Sequence, residues 1–277
     1  MRMEKSERIL QEIIELESGH LGRTVRVDLY LAGGISLRGG EAADLGEISL
    51  LLINDGQDME KLGLADVLED LYERALIKPL LCAGIHAGPD RTLEYGTAAV
   101  TDYKGRGARA AAYTRCILEE VIPAIRDRFP SPAFREKAFA GFSLGALSAM
   151  DIVWNHPEEF ACAGLFSGSF WWRTRDKADP EYNDHTDRIV QGQVRNGGYY
   201  PWLKFFFECG TEDEEEDRNQ NGLIDSIDDT QDLIKELEAK GYDLLKEIYY
   251  LEIEGGRHDV DTWGQAMPVF LQWGWGR

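Results

Sequence analysis

The pentapeptide Gly141-Phe142-Ser143-Leu144-Gly145 has the clearest capacity for chemistry in the sequence. It matches G-x-S-x-G, a pattern in which a sharp strand-to-helix turn projects a serine hydroxyl from the edge of a sheet. The apolar run KAFAGF before the serine and the helical pattern LGALSAMDIVWN after it supply that context. The N-terminal N–H groups of such a helix point toward a developing oxyanion. We therefore predict that Ser143 is a nucleophile; the structural alternative is a helix N-cap.

A serine hydroxyl needs a general base, and the sequence contains five histidines. In the α/β-hydrolase fold, to which this strand–turn–helix context points, the order along the chain is serine, acid, histidine. Two histidines precede Ser143, a third ends the helix after the motif, and a fourth lies in a polar segment. The remaining one, His258, follows the last predicted strand and opens the last predicted helix. We predict His258 as the base; a surface histidine beside a helix cap is the alternative.

The acid should follow the preceding strand, where FFFECG runs into a group of carboxylates. A carboxylate there would hold the imidazole tautomer and stabilise the imidazolium. We predict Asp213 for this role, and Glu212, Glu214 and Glu215 remain alternatives because sequence does not show which side chain turns inward.

The elements that must position these residues alternate along the chain. Predicted strands cover 24–31, 48–54, 79–85, 137–142, 161–166, 205–209 and 245–253. Helical patterns cover 64–76, 109–129, 144–155, 228–240 and 260–273. Continuous apolar strands such as PLLCAGI indicate a mostly parallel sheet with helices on both faces. We predict a single α/β domain over 1–277, a three-layer sandwich of the α/β-hydrolase class, with a polar insertion near 174–198.

The charge and the apolar content of the sequence limit the classes of partner that we expect. The 277 residues carry a formal net charge of −20, which disfavours nucleic acid. The N-terminal segment has charges throughout and no apolar core of a signal peptide, and no stretch reaches the length of a membrane span. The four cysteines lie singly in apolar segments, which is typical of buried thiols. We expect a cytoplasmic protein without a membrane partner; the oligomeric state is open.

Residues 217–228 have the spacing of a calcium-binding loop. DRNQNGLIDSID offers oxygen ligands at positions 1, 3, 5, 7, 9 and 12, and a glycine at position 6 for the turn. The predicted ligands are Asp217, Asn219, Asn221, the Leu223 carbonyl, Asp225 and Asp228. The last is Asp where Glu is usual, and an acidic loop shaped by Asn-Gly turns is the alternative. The expected role of calcium is structural, fixing the loop that bears Asp213.

Several segments, in order, resemble the Putative esterase family of α/β-hydrolases, which includes enterobactin-type siderophore esterases, feruloyl esterases and S-formylglutathione hydrolases. They are LGRTVRVDLYL, LLINDGQD, RTLEYG, GFSLGALSAM, HPEEFACAGLFSGSFWW and GGRHDVDTW. The resemblance implies that the backbone N–H groups of Gln57 and Leu144 form an oxyanion hole. It also implies that Arg91 faces the substrate, with a loop salt bridge as the alternative. Trp171 and Trp172, just after a strand, are candidates for an aromatic pocket wall, or else pack beneath the insertion.

These residues together predict a serine esterase that hydrolyses a small-molecule carboxylic ester through an acyl-enzyme and needs no organic cofactor. The alternatives are a thioesterase or peptidase with the same triad, or a non-catalytic, calcium-organised binding protein on a hydrolase scaffold. The ester itself is not specified by the sequence.

Overall fold

The computed structural model describes residues 9–32, 48–128 and 134–277, and this part of the chain forms one eight-stranded sheet. The strands are β1 (Ile9–Ser18), β2 (Arg23–Ala32), β3 (Ser49–Asn54), β4 (Leu80–Ile85), β5 (Lys137–Phe142), β6 (Cys162–Phe166), β7 (Lys204–Glu212) and β8 (Ile248–Arg257). Each of the seven predicted strand segments falls on one of β2 to β8. The sequence pattern does not predict β1, because half of its residues are charged or polar.

The sheet has the order β1-β2-β4-β3-β5-β6-β7-β8. β1 pairs with β2 and β2 with β4 in antiparallel fashion, and every other neighbouring pair is parallel. All six residues of β3 and all six of β4 are buried, as expected for central strands covered on both faces. The predicted fold class is therefore confirmed: a mostly parallel α/β sandwich.

Helices cover both faces of the sheet. They are α1 (Met59–Leu62), α2 (Leu64–Glu73), α3 (Arg91–Glu94), α4 (Ala110–Arg115), α5 (Ile122–Arg126), α6 (Leu144–Asn155), α7 (Asp184–Asp187), α8 (Ile189–Asn196), α9 (Asp225–Lys240) and α10 (Val260–Trp275). One apolar core lies between the sheet and α2 and α10, and a larger one lies between the opposite face and α4, α5, α6, α8 and α9. The pattern predicted as one helix over 109–129 is instead α4, a π-helical segment (Cys116–Val121) and α5, and residue 129 lies outside the described ranges.

The polar segment at 174–198 contains α7 and α8, which pack against α9. Arg188 Nη1 lies 2.9 Å from Asp229 Oδ1, and Nη2 lies 2.8 Å from Asp232 Oδ2. This buried arginine fixes the segment to the helix that follows the predicted calcium loop.

The four cysteines are buried and free. Burial raises the pKa of the Cys116 thiol to about 12, so the thiol is neutral and unreactive at physiological pH. Among the helices of the described ranges, none is long and apolar enough to cross a bilayer.

Candidate active site

Ser143 lies at the turn between β5 and α6, with φ 56° and ψ −121°. Its backbone N–H donates to Phe166 O at 2.9 Å, which ties the turn to the end of the neighbouring strand β6. The turn is tight: a Cβ on Gly141 would lie 2.3 Å from Gly145 O, closer than real Cβ atoms approach. Glycine at 141 is therefore required by close packing, and the strained serine is held with its side chain at the sheet edge.

The Ser143 side chain opens into a cavity of about 350 Å³. Its Oγ lies 3.4 Å from Ser169 Oγ, so the two hydroxyls are weakly hydrogen-bonded. The residues that line the cavity are Ser143, Leu144, Ser167, Gly168, Ser169, Trp171, Asp213, Glu214, Ser226 and His258. The three residues predicted as nucleophile, acid and base thus share one cavity.

His258 follows β8 and precedes α10, whose N-cap is Asp259 with its carboxylate accepting from Thr262 N at 2.9 Å. Its Nδ1 lies 4.0 Å from Asp213 Oδ2, within ion-pair range and beyond a hydrogen bond. The Asp213 carboxyl is fully buried, whereas 39% of the His258 side chain is exposed. Burial raises the pKa of Asp213 and lowers the pKa of His258, because it disfavours the charged form of each group. The imidazole is thereby kept neutral, the form that a base requires.

The other three carboxylates considered for the acid have different environments. Glu212 is exposed and accepts from Arg257 Nε at 3.2 Å. Glu215 is exposed, and Glu214 lies at the cavity wall, where burial raises its pKa. Of the four carboxylates, Asp213 is the one that faces His258.

The two amides predicted as oxyanion donors follow neighbouring strands. Gln57 lies in a 3₁₀ turn (Gly56–Asp58) after β3, and Leu144 begins α6 after β5. Asn54 Nδ2 donates to Gly145 O at 2.8 Å and connects the two turns. Leu144 lines the Ser143 cavity, whereas Gln57 lines a different cavity of about 390 Å³. Its side chain accepts from Ala87 N at 3.0 Å, which orients this turn.

Arg91 forms a bidentate salt bridge with Asp55: Nε lies 2.7 Å from Oδ1, and Nη2 lies 2.8 Å from Oδ2. The Asp55 side chain is 4% exposed and that of Arg91 is 31% exposed. The loop salt bridge considered for Arg91 is therefore present. The guanidinium is nevertheless near the site: burial lowers the pKa of His258 most, and the positive charge of Arg91 lowers it further.

The two tryptophans after β6 have different environments. Trp171 lines the Ser143 cavity, and the Arg106 guanidinium lies over its ring, 4.7 Å from the centroid. Trp172 is fully buried, and a Cβ on Gly96 would lie 2.8 Å from its ring. The structure therefore brings one of the two predicted wall residues, Trp171, to the cavity, and Trp172 packs in the core beneath it.

The predicted calcium loop is closed by its own hydrogen bonds. Asp217 accepts from Asn221 N at 3.2 Å and from Gly222 N at 2.9 Å. Asn219 Oδ1 accepts from Asn221 N at 3.1 Å, and Asn221 Oδ1 accepts from Leu223 N at 2.8 Å. The first three predicted side-chain ligands thus shape the turn.

The end of the loop is neutralised by Arg218. Its guanidinium lies 3.4 Å from Asp225, 3.3 Å from Asp228 and 2.8 Å from Asp229. Across residues 9–32, 48–128 and 134–277, no group of three or more His, Cys, Asp or Glu side chains is arranged to hold a metal. Three of the predicted ligands nevertheless meet, because Asn219 Nδ2 and Asn221 Nδ2 donate to Asp228 at 2.8 and 3.2 Å. The oxygen donors suit calcium chemically, and the calcium site stays a prediction.

Two further groups at the site were not predicted. Ser169 contacts Ser143, and the doublet of serines in SGSF directly after β6 was a signal for it. Glu208 is buried in β7, and its signal was a lone charge within the apolar run FFFEC.

Comparisons with known proteins agree with this fold. The structure aligns with the enterobactin esterase of Shigella flexneri at a TM-score of 0.70 and 19% identity, covering 97% of this chain and 59% of that one. It aligns with a siderophore hydrolase of Aspergillus nidulans at a TM-score of 0.68 and 16% identity, covering 98% of each chain. A siderophore triacetylfusarinine C esterase of Aspergillus fumigatus is 34% identical over 58 residues, 21% of this chain and 20% of that protein. The chain thus spans about a fifth of this curated relative and less than two thirds of the Shigella enzyme.

The match to a family is broader. Residues 18–273 match the family described as Putative esterase. This range includes β2 to β8, the Ser143 turn and the loop that bears His258. Since the match covers most of the chain, this protein belongs to the Putative esterase family.

Proposed function

We propose that the protein is a serine hydrolase that cleaves a carboxylic ester through an acyl-enzyme on Ser143. One observation carries the proposal: the strained strand–turn–helix serine opens into the same cavity as His258 and Asp213. The family match and the esterases and siderophore hydrolases among the structural neighbours support an ester as the substrate.

In the proposed mechanism, His258 removes the proton of the Ser143 hydroxyl as Oγ attacks the ester carbonyl. Asp213 stabilises the imidazolium, and its 4.0 Å distance from Nδ1 shortens to hydrogen-bond length as that charge develops. The N–H groups of Leu144 and Gln57 bind the oxyanion. His258 then protonates the departing alcohol, and water, deprotonated by His258, releases the acid from Ser143.

The cavity favours an ester that carries a flat ring. Trp171 forms one wall, and the guanidinium of Arg106 on its ring restricts the movement of the indole. A volume of about 350 Å³ is at the small end of ligand sites. We propose aromatic acyl esters, of the kind found in feruloyl and catecholate siderophore compounds, as the substrate class.

The test is covalent labelling with a fluorophosphonate, followed by peptide mapping. We expect the label on Ser143, none in Ser143→Ala, and labelling retained in Ser169→Ala, the matched serine in the same cavity. An unlabelled wild-type chain that also fails to hydrolyse p-nitrophenyl, feruloyl and catecholate esters would indicate a non-catalytic binding protein. Faster cleavage of thioesters or peptides than of these esters would assign the triad to the alternative chemistry.

A further inference from the structure

Glu208 is a buried acid for which the proposed mechanism has no role. It lies in β7 and is fully buried. Neither carboxyl oxygen makes a hydrogen bond of normal geometry within the described ranges, although Ser167 lies nearby. A buried ionised carboxylate without partners is strongly unfavourable, and native structures contain few such groups. A strand residue with this environment has either a neutral side chain or a functional reason to be charged.

The surroundings of Glu208 are apolar. The parallel register places it beside Phe166 of β6 and Leu251 of β8. Alternation along the strand puts its side chain on the face of Phe206, whose ring packs against Phe270 of α10. These neighbours provide no positive charge to stabilise an ionised Glu208.

The backbone connects Glu208 to the floor of the catalytic cavity. Its carbonyl accepts from Ser167 N at 2.8 Å, and Ser167 lines the Ser143 cavity. The Ser167 hydroxyl accepts from Trp263 Nε1 at 2.9 Å, and the Trp263 ring lies edge-on to His258 at 5.4 Å between centroids. Asp213 is five residues further along the chain and is also fully buried.

The charged neighbour of Glu208 is Asp213. Burial and, after it, the negative charge of Asp213 raise the pKa of Glu208 from 4.5 to about 8, and the nearby Ser167 opposes both effects. Its strand neighbours Phe166 and Leu251 carry no charge, and neither does Phe270 of α10, which packs on the same face of the sheet. His258 lies on the other side of Asp213, where its charge stabilises that carboxylate.

We propose that Glu208 is a positioning residue for Asp213: neutral at physiological pH, it leaves Asp213 as the single carboxylate facing His258. When Glu208 loses its proton in alkaline solution, a second buried carboxylate repels Asp213 and displaces it from His258. The inference rests on the proposed function of Asp213 and His258. It adds the expectation that activity is lost in alkaline solution.

Two measurable consequences follow. The rate constant kcat/KM should fall above about pH 8, approaching a tenfold loss per pH unit. Stability should also fall with pH. Because the pKa is raised on folding, from 4.5 to about 8, the folded state binds more protons between these values. The contribution of Glu208 to stability is therefore complete below pH 4.5 and is progressively lost up to about pH 8.

The test compares Glu208→Gln, an isosteric neutral group, with the matched control Glu252→Gln, an exposed carboxylate on the adjacent strand. We expect Glu208→Gln to keep kcat/KM at pH 7 within about threefold, to lose the alkaline decline, and to retain the acid limb set by His258. Urea unfolding should show a smaller loss of stability between pH 5 and 9 than in wild type. Glu252→Gln should behave as wild type.

An unchanged alkaline decline in Glu208→Gln would overturn the proposal. So would the absence, in the infrared spectrum of the wild-type protein at pH 7, of a protonated-carboxyl band that disappears on alkalinisation; this measurement needs no variant to fold. Unfolding in a Ser143→Ala background reports the ionisation without ester hydrolysis. The two proposals can fail separately. If Glu208→Gln changes the pH dependence of the free energy of unfolding as expected, but the wild-type protein hydrolyses no ester, the proposed function is refuted and the buried neutral Glu208 is supported.

Discussion

The strained turn at Ser143 predicts that the protein is more stable without a side chain at this position. The perturbation is a pair of variants, Ser143→Gly and Ser143→Ala. Both remove the hydroxyl and its 3.4 Å contact with Ser169, so both should be inactive. They differ because alanine keeps the Cβ that makes φ 56°, ψ −121° unfavourable, whereas glycine adopts this conformation without strain.

The magnitude follows from two opposing terms. A non-glycine residue in such a region costs about 1–3 kcal/mol. Glycine lowers the free energy of unfolding by about 0.5–1 kcal/mol relative to alanine, because its unfolded state has more backbone freedom. Ser143→Gly should therefore exceed Ser143→Ala in free energy of unfolding by about 1 kcal/mol, with an upper bound of about 2.5 kcal/mol. For a chain of this size that corresponds to a higher Tm by about 2–4 °C per kcal/mol.

The assay is urea unfolding of both variants at one pH, with equal m-values as the condition for comparing midpoints. Thermal unfolding provides the second reading. A Ser143→Gly variant that is equal to or less stable than Ser143→Ala would refute the strain argument, and with it the interpretation of the turn as a preorganised nucleophile site.

The remaining predictions concern the acid and the loop after it. Asp213→Asn should lower kcat by about 10²–10⁴-fold with an intact fold, because the imidazolium loses its buried carboxylate. The control Glu212→Gln, at the exposed neighbour, should leave kcat within about twofold. Equal losses of kcat in the two variants would show that Asp213 is not the acid. If the calcium prediction from the spacing of 217–228 is correct, a chelator should lower Tm, and calcium should restore it better than magnesium. If Tm and activity do not respond and elemental analysis finds no metal, the loop is neutralised by side chains such as Arg218 without calcium.

The central parallel strands and the strand–turn–helix at Ser143 could be predicted because their signals are local. Apolar runs of five to seven residues define β3 to β6, and the GFSLG turn joins a strand to a helix within a few residues. Chain order then selected His258, which lies in the same cavity as Ser143. The edge strand β1 was not predicted because exposed polar residues such as Gln11 and Glu15 interrupt its apolar pattern. Its pairing with β2 depends on contacts that the sequence does not show.

Features that depend on long-range contacts were not predictable in the same way. The Asp55–Arg91 salt bridge joins residues 36 positions apart. The family resemblance alone therefore could not decide whether Arg91 forms a salt bridge or contacts the substrate. Trp172 was indistinguishable from Trp171 by composition, and only the packing against Gly96 separates a core residue from a wall residue. Glu208 was hidden because one acid in an apolar run does not change the periodicity that predicts a strand.

The link between the turns after β3 and β5 has a consequence for how the protein could acquire new substrates. The two proposed oxyanion donors follow adjacent strands and are joined by Asn54, so their separation is set by the sheet and not by the peripheral loops. The segment over 174–198 lies outside the sheet and is tied to α9 by Arg188. Its Lys177 lines a cavity of about 260 Å³ that shares Trp171 and Glu214 with the Ser143 cavity. Exchange or lengthening of that segment should therefore change which ester binds while the two turns keep their separation. This makes the segment over 174–198 the natural target for redirecting specificity by design.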